Sequence, residues 1–278
     1  MQRIFVGDVQ GCADELGDLV VRARGDFGGE FELWFVGDLV NRGPASLRVL
    51  EQVRALADAG RARCVLGNHE LSLLRVAAGQ RPCGPEDTFQ DVIEAGGDWL
   101  AWLARRPLVV ADRLGERRFA LLHAAAVPGW SLDAMCERTR RIQERLGGSA
   151  KDSRRLLAAR PEDDEDAALL ARITRCRSVD SRGRWSSREP NVARDAWHAR
   201  WSAEKPDFGV VYGHWATQGL HVAPLLRGLD TGCVYHGLWG DRFLTAWLPQ
   251  PDVEDPFAIP DENFWRVAAR AQYLRRSR

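Results

Sequence analysis

Arg63-Cys64-Val65-Leu66-Gly67-Asn68-His69-Glu70 reads as a short apolar strand that ends in a tight turn and enters a helix through Leu71, Leu73, Leu74 and Ala77. The turn carries an amide oxygen suited to a hard metal and, one residue on, an imidazole that can move a proton. Its weight comes from repetition. Ile4-Phe5-Val6 ends in Gly7-Asp8-Val9-Gln10-Gly11 before a helical run with Leu16, Leu19, Val20 and Ala23. Leu33-Trp34-Phe35-Val36 ends in Gly37-Asp38-Leu39-Val40-Asn41-Arg42-Gly43-Pro44 before Val49, Leu50, Val53, Leu56 and Ala57. Three successive strand-turn-helix units imply parallel strands whose C-terminal ends lie side by side. Each strand then ends in Gly followed by Asp8, Asp38 or Asn68, at the edge where open α/β sheets keep their sites. A single Gly-Asp pair is more often a turn-capping aspartate than a ligand, but three such turns in register outweigh that reading.

Downstream, Phe119-Ala120-Leu121-Leu122 reads as another buried strand ending at His123, followed by the small residues Ala124-Ala125-Ala126. Val210-Val211-Tyr212 does the same at Gly213-His214. The strand-end set is therefore Asp8, Asp38, Asn68, His123 and His214, with His69 beside it. Mixed oxygen and imidazole ligands around a bridging carboxylate suit a pair of Mn²⁺, Co²⁺ or Fe²⁺ ions better than a thiolate-seeking metal. Two ions roughly 3.5–4 Å apart can acidify a water and stabilise both the entering and leaving oxygens of a phosphoryl group.

Length and composition set the frame. With 278 residues and 45% hydrophobic content, the chain reads as one domain, 1–278, with insertions. Formal net charge is +0, so no global field attracts DNA or an anionic membrane. Lys151 and Lys205 are the sole lysines. With arginine carrying nearly all the positive charge, an arginine counts as functional only where its position argues for it. Six cysteines without CxxC spacing argue against a zinc knuckle or a disulfide framework. Met1 to Asp8 reads as a strand rather than a signal peptide, so the expectation is a soluble cytoplasmic protein with no obligate protein partner.

Residues 80–107 read as a helical insertion and 130–206 as a helical and loop cap. Within the cap, 131–146 is an amphipathic helix, 162–166 the acidic start of another, and 178–206 a loop over the site. Strands are expected at 225–229, 234–238 and 243–248 as an antiparallel meander adding a second sheet, and a C-terminal helix at 260–278. Trp197 and Trp201 are candidates for stacking on a base, although packing is the commoner role of such side chains.

In order and spacing, Gly7-Asp8-Val9-Gln10-Gly11, Gly37-Asp38-Leu39-Val40-Asn41-Arg42-Gly43, Gly67-Asn68-His69-Glu70, His123 and Gly213-His214 resemble the signature of calcineurin-like metallophosphoesterases of the phosphoprotein phosphatase type. Gly11-Cys12, Leu39 to Pro44, Val65 to His69 and Leu229-Asp230-Thr231-Gly232-Cys233 resemble the branch of symmetrical bis(5′-nucleosyl)-tetraphosphatases, or diadenosine tetraphosphatases. The resemblance covers 3–79 and returns at 119–124 and 208–248. It implies an α/β metallophosphoesterase fold with two stacked, mostly mixed sheets flanked by helices. It also implies two divalent ions, Mn²⁺ or Co²⁺ foremost. Asp8 would hold the first, with Gln10 ligating it weakly, binding through water or leaving it loosely held, Asp38 would bridge, and Asn68, His123 and His214 would hold the second. His69 would be the general acid and Arg42 a phosphate clamp, with Arg175 or Arg177 as a second clamp. The implied reaction is attack of a metal-bridging hydroxide on diadenosine tetraphosphate, giving two ADP.

Two positions depart from most phosphoprotein phosphatases, which have His in place of Gln10 and Asp in place of Asn41. Both departures fit the tetraphosphatase branch. The rival functions are a serine/threonine protein phosphatase, a hydrolase of nucleoside-polyphosphate caps on RNA, and a nucleotide-binding sensor that has lost its first metal through Gln10.

Overall fold

The computed structural model describes residues 1–250, 252–258 and 263–274. The opening units are β1 (Gln2–Val6), α1 (Ala13–Phe27), β2 (Phe31–Phe35), α2 (Ser46–Asp58), β3 (Ala62–Cys64) and α3 (Asn68–Ala77). β1 pairs with β2 and β2 with β3, both parallel, so their C-terminal ends share one edge. The helices form because their apolar residues recur every three or four positions: Leu16, Leu19 and Ala23 in α1, and Val49, Leu50, Val53 and Leu56 in α2, all buried. Two short helices, α4 (Gln90–Ala95) and α5 (Gly97–Ala104), occupy the 80–107 segment.

β4 (Val109–Leu114) and β5 (Arg117–Leu122) then pair as an antiparallel hairpin. Three helices follow, α6 (Leu132–Gly147), α7 (Ala150–Ala158) and α8 (Glu165–Arg175). The acidic run is the capped start of α8, where Asp164 accepts the Ala167 N–H and Arg145 pairs with Asp164 and Asp166. β6 (Ser178–Asp180), β7 (Trp185–Ser186) and β8 (Arg194–Ala196) make a small sheet leading to α9 (Trp197–Ala203). β9 (Gly209–Tyr212), β10 (His221–Ala223), β11 (Leu226–Gly228), β12 (Phe243–Trp247) and β13 (Phe264–Ala268) complete the chain.

Two five-stranded mixed sheets result, ordered β13-β12-β1-β2-β3 and β10-β11-β9-β5-β4. Between them lies an aromatic layer in which Phe5 meets Phe119 edge-on at 5.4 Å and Trp247 at 5.2 Å. A second core packs α1 and α2 on the first sheet, and a third packs α6 to α9 on the other. β5 and β9 are parallel neighbours, so their ends, like those of β1 to β3, open on one side. Among the described residues, no helix is long and apolar enough to cross a membrane.

Several expectations need correction. The tail expected as a helix over 260–278 contains β13, which pairs antiparallel with β12; 260–262 and 275–278 lie outside the described residues. Trp265 is buried and Arg266 exposed, a period of two, and the strand covers what would otherwise be the open edge of β12. The expected strand at 234–238 is a 3-10 turn, Cys233–Tyr235, because Gly232, Gly237 and Gly240 all take positive φ. The meander does not form: β11 runs parallel to β9 in one sheet, whereas β12 crosses to pair antiparallel with β1 in the other. β4 was not anticipated, since its outer face alternates with charge as an edge strand does.

Candidate active site

Each expected ligand, and the expected acid His69, sits just past a strand of one of the two sheets: Asp8 and Gln10 after β1, Asp38 after β2, Asn68 and His69 after β3, His123 after β5, His214 after β9. The turns are tight. A Cβ on Gly67 would meet Asp38 Oδ1 at 2.1 Å, and one on Gly213 would meet Asp8 Oδ1 at 1.9 Å, so glycine is required at both. Gln10, Asp38, Asn41, Arg42 and His214 are all non-glycine residues at positive φ. Such strain persists where the surroundings over-determine it, and here it gathers at the site.

His123, Asp38 and His214 bring potential ligand atoms within 4.8 Å of one another. The His123 ring donates from Nδ1 to the Val36 carbonyl at 2.9 Å, which turns Nε2 inward. That nitrogen lies 3.3 Å from Asp38 Oδ2 and 3.1 Å from Asn68 Oδ1. Asp38 Oδ2 is buried with no hydrogen-bond donor. Three atoms that can each offer an electron pair to a metal thus converge, and a cation there would take the place of the proton that the imidazole otherwise holds between them. His214 donates from Nε2 to the Arg175 carbonyl at 3.1 Å, freeing Nδ1, and its backbone N–H is held by Asp8 at 3.1 Å.

Charge points the same way. Burial, with Asp230 and Asp38 nearby, pushes the Asp8 pKa well above the carboxylate range, and burial lifts Asp230 to about 6. Burial also works to raise Asp38, but His123 and His69 outweigh it and hold it below its usual value. Burial works to lower His123, and the Asp38 carboxylate overrides it and raises it. A field that draws protons to buried imidazole also draws a cation. The donor set therefore fits a divalent ion at Asp38, Asn68, His123 and His214. Gln10 lines the same cavity of about 270 Å³, together with Asp38, Asn68, His69, His214 and Asp230.

His69 is buried, with its backbone N–H donating to Asp38 Oδ1 at 2.8 Å and its ring Nε2 3.7 Å from Asp38 Oδ2. Burial lowers its pKa, opposed by Asp38. Its Nδ1 meets Asn41 Nδ2 at 2.8 Å. Of the expected phosphate clamps, Arg42 is ion-paired with Glu86 on an exposed loop. Arg177 lines the metal-side cavity and donates to the His214 carbonyl at 3.2 Å. Arg175 lines a second cavity of about 460 Å³ with Arg42 and Arg81. The two cavities share Asn68 and His69.

Sequence reasoning gave no role to Glu70, Asp87 or Asp230. Asp230 follows β11 as Asp8 follows β1, and that strand-end position was the available signal. Trp197 and Trp201 are both buried in the core on the second sheet; Trp239, exposed over 39% of its surface and stacked on Tyr235 at 4.0 Å, lines the metal-side cavity instead.

Comparison with known proteins agrees with this architecture. Residues 1–254 match the family described as calcineurin-like phosphoesterase. A protein of Aromatoleum aromaticum named symmetrical bis(5′-nucleosyl)-tetraphosphatase is 35% identical over 260 residues, covering 87% of this chain and 91% of that one. One of the same name from Methylococcus capsulatus is 35% identical, covering 92% and 94%. The crystal structure of a proposed diadenosine tetraphosphatase superposes with a TM-score of 0.63 at 25% identity, covering 96% of this chain and 93% of that one. With this fold, this convergence of donors and a match over most of its length, the chain belongs to the calcineurin-like phosphoesterase family of metal-dependent hydrolases.

Proposed function

We propose that this protein hydrolyses dinucleoside polyphosphates, cleaving diadenosine tetraphosphate symmetrically into two ADP. The observation that carries the reading is the pair of cavities that meet at Asn68 and His69, one lined by Arg177 and Trp239, the other by Arg42, Arg81 and Arg175. A substrate with two equivalent nucleotide arms on one phosphate chain fits two lobes joined at a metal centre. The names of the relatives support the same substrate.

In this reading Asp8, with Gln10 beside it, would hold a first divalent ion, Asn68, His123 and His214 would hold a second, and Asp38 would serve both, with Mn²⁺ or Co²⁺ favoured by the oxygen and imidazole donors. When bound, two such ions supply Lewis acidity and lower the pKa of water. Arg177 and Arg175 grip phosphate oxygens, and Arg42 exchanges Glu86 for a phosphate when substrate enters. His69 presents its Nε2–H to the leaving oxygen. An RNA 5′ cap with the same phosphate chain offers the same bond to the same groups.

The test is incubation with diadenosine tetraphosphate and Mn²⁺ or Co²⁺, followed by chromatography of the products. Two ADP are expected. AMP plus ATP would overturn the symmetrical reading, and turnover of a phosphoserine peptide at an equal rate would favour a protein phosphatase.

A further inference from the structure

We propose that Asp87 is a positioning residue which, through the Asn41 amide, fixes the His69 ring with its proton on Nε2, and that this suits the site to leaving groups that depart as phosphate anions rather than alkoxides. The second half rests on the hydrolytic reading above; the first does not.

Asn41 is buried, and its Oδ1 accepts two backbone N–H groups, those of Arg42 and Thr88, each at 2.9 Å. Those two donors set which way the amide faces, because a flipped amide would turn its NH₂ against them. Nδ2 is therefore the atom that faces His69 Nδ1 at 2.8 Å and Asp87 Oδ1 at 3.1 Å. An amide nitrogen only donates, so His69 Nδ1 must accept and the ring proton resides on Nε2, the nitrogen turned toward Asp38 Oδ2. Asp87 is itself anchored, its Oδ2 taking Arg81 Nη1 and the Gly84 N–H, both at 2.7 Å. Its charge polarises the amide and strengthens the bond on His69. The charge near His69 is thus present, but one group further out than a carboxylate at position 41 would place it, and the ring sees a donor where that carboxylate would offer an acceptor.

The chemical consequence concerns the leaving oxygen. A carboxylate at 41 would accept from Nδ1–H and stabilise an imidazolium able to transfer a whole proton. Here the neutral ring offers an Nε2–H hydrogen bond. In the step, water oxygen forms a bond to phosphorus and releases a proton to solvent, while the P–O bond breaks with its electron pair going to the leaving oxygen. A phosphate leaving group, whose second ionisation lies near ~6, is stable as that anion and needs the hydrogen bond alone. A serine alkoxide needs a proton as it departs.

The test compares Mn²⁺-loaded wild type, D87N and the exchange variant N41D/D87N on diadenosine tetraphosphate and on a phosphoserine peptide. D87N is expected to lower kcat on the tetraphosphate by about tenfold with KM changed by less than about twofold. The exchange variant is expected to raise the peptide-to-tetraphosphate ratio of kcat/KM by at least about tenfold. ¹⁵N NMR of the Mg²⁺-loaded wild type, which needs no variant to fold, is expected to show the His69 proton on Nε2. A proton on Nδ1, or a kcat unchanged in D87N, overturns the positioning role; an unmoved ratio in a folded exchange variant overturns the leaving-group assignment. A wild type inert toward diadenosine tetraphosphate would refute the proposed function while the NMR result still decides the tautomer.

Discussion

Glu70 Oε2 accepts the backbone N–H of Asp38 at 3.0 Å, fastening the turn of the second strand to the turn of the third. The same oxygen takes the Gly67 N–H at 2.8 Å, and Oε1 takes those of Leu39 and Val40 at 2.8 and 3.2 Å. Burial and the nearby Asp38 push the Glu70 pKa up to about 7, while the N–H donors favour the carboxylate. Gln at this position would turn an NH₂ against two of the four donors. E70Q is therefore expected to lose about 2–3 kcal/mol of stability, as buried donors left unpaired do. Denaturant unfolding measures it, and a midpoint equal to wild type would show that Glu70 is not the fastening.

Metal removal should be visible in stability as well as activity. Asp8, Asp38 and Asp230 are buried together, and a cation that binds the folded state alone stabilises it by about 2.7 kcal/mol at a hundredfold excess over Kd. Melting is expected to rise on adding Mn²⁺ to chelator-treated protein. In D38N, which removes the oxygen that lies without a donor, the rise should largely vanish. A full response in D38N would take Asp38 out of the ligand set.

The strand-end positions of the candidate ligands were legible because each depends on a local rule: a glycine turn at the end of an apolar strand, repeated in register. Arrangements set by distant partners were not. Nothing near Asp87 in the sequence shows that it meets Asn41 across 46 positions, and Trp265 belongs to a strand because β12 lies beside it, whereas Phe264, Trp265 and Ala268 by themselves fit a helical face. The meander failed for the same reason. Tight turns fix that strands follow closely, not which sheet each one joins.

Acid sensitivity should come in part from a pair of histidines away from the metal. His198 and His221 lie 4.3 Å apart between ring centroids, and burial, then His221, lowers His198 to about 4. The unfolded value is near ~6.5, so the unfolded chain binds the extra proton first. Stability contributed by the neutral ring is complete above ~6.5 and is lost as pH falls toward 4. In chelator, to remove the metal's own pH dependence, H198Q is expected to lose less melting temperature between pH 7.5 and 5 than wild type. Parallel losses in the two proteins would place the acid sensitivity elsewhere.

Trp239 should contribute to substrate affinity rather than to turnover. Of the tryptophans among the described residues it is the one exposed beyond a third of its surface, at 39%, and it lies stacked on Tyr235 with the rings 9° from parallel. That stack, with the Arg242 guanidinium 5.8 Å from the Trp239 ring centre, lines the cavity containing Asp38, Asn68 and His214, and so borders the space where one arm of a dinucleotide would lie. Base-on-aromatic stacking is worth about 1–3 kcal/mol, and a phosphate ester without a nucleobase gains nothing from it. W239A is therefore expected to raise KM for diadenosine tetraphosphate by at least about fivefold, with kcat little changed. The KM for p-nitrophenyl phosphate should stay as in wild type, and W239F should recover most of the loss. Equal KM increases on both substrates would mean that the substitution had disturbed the metal centre, and no increase on either would mean that neither nucleobase uses this face.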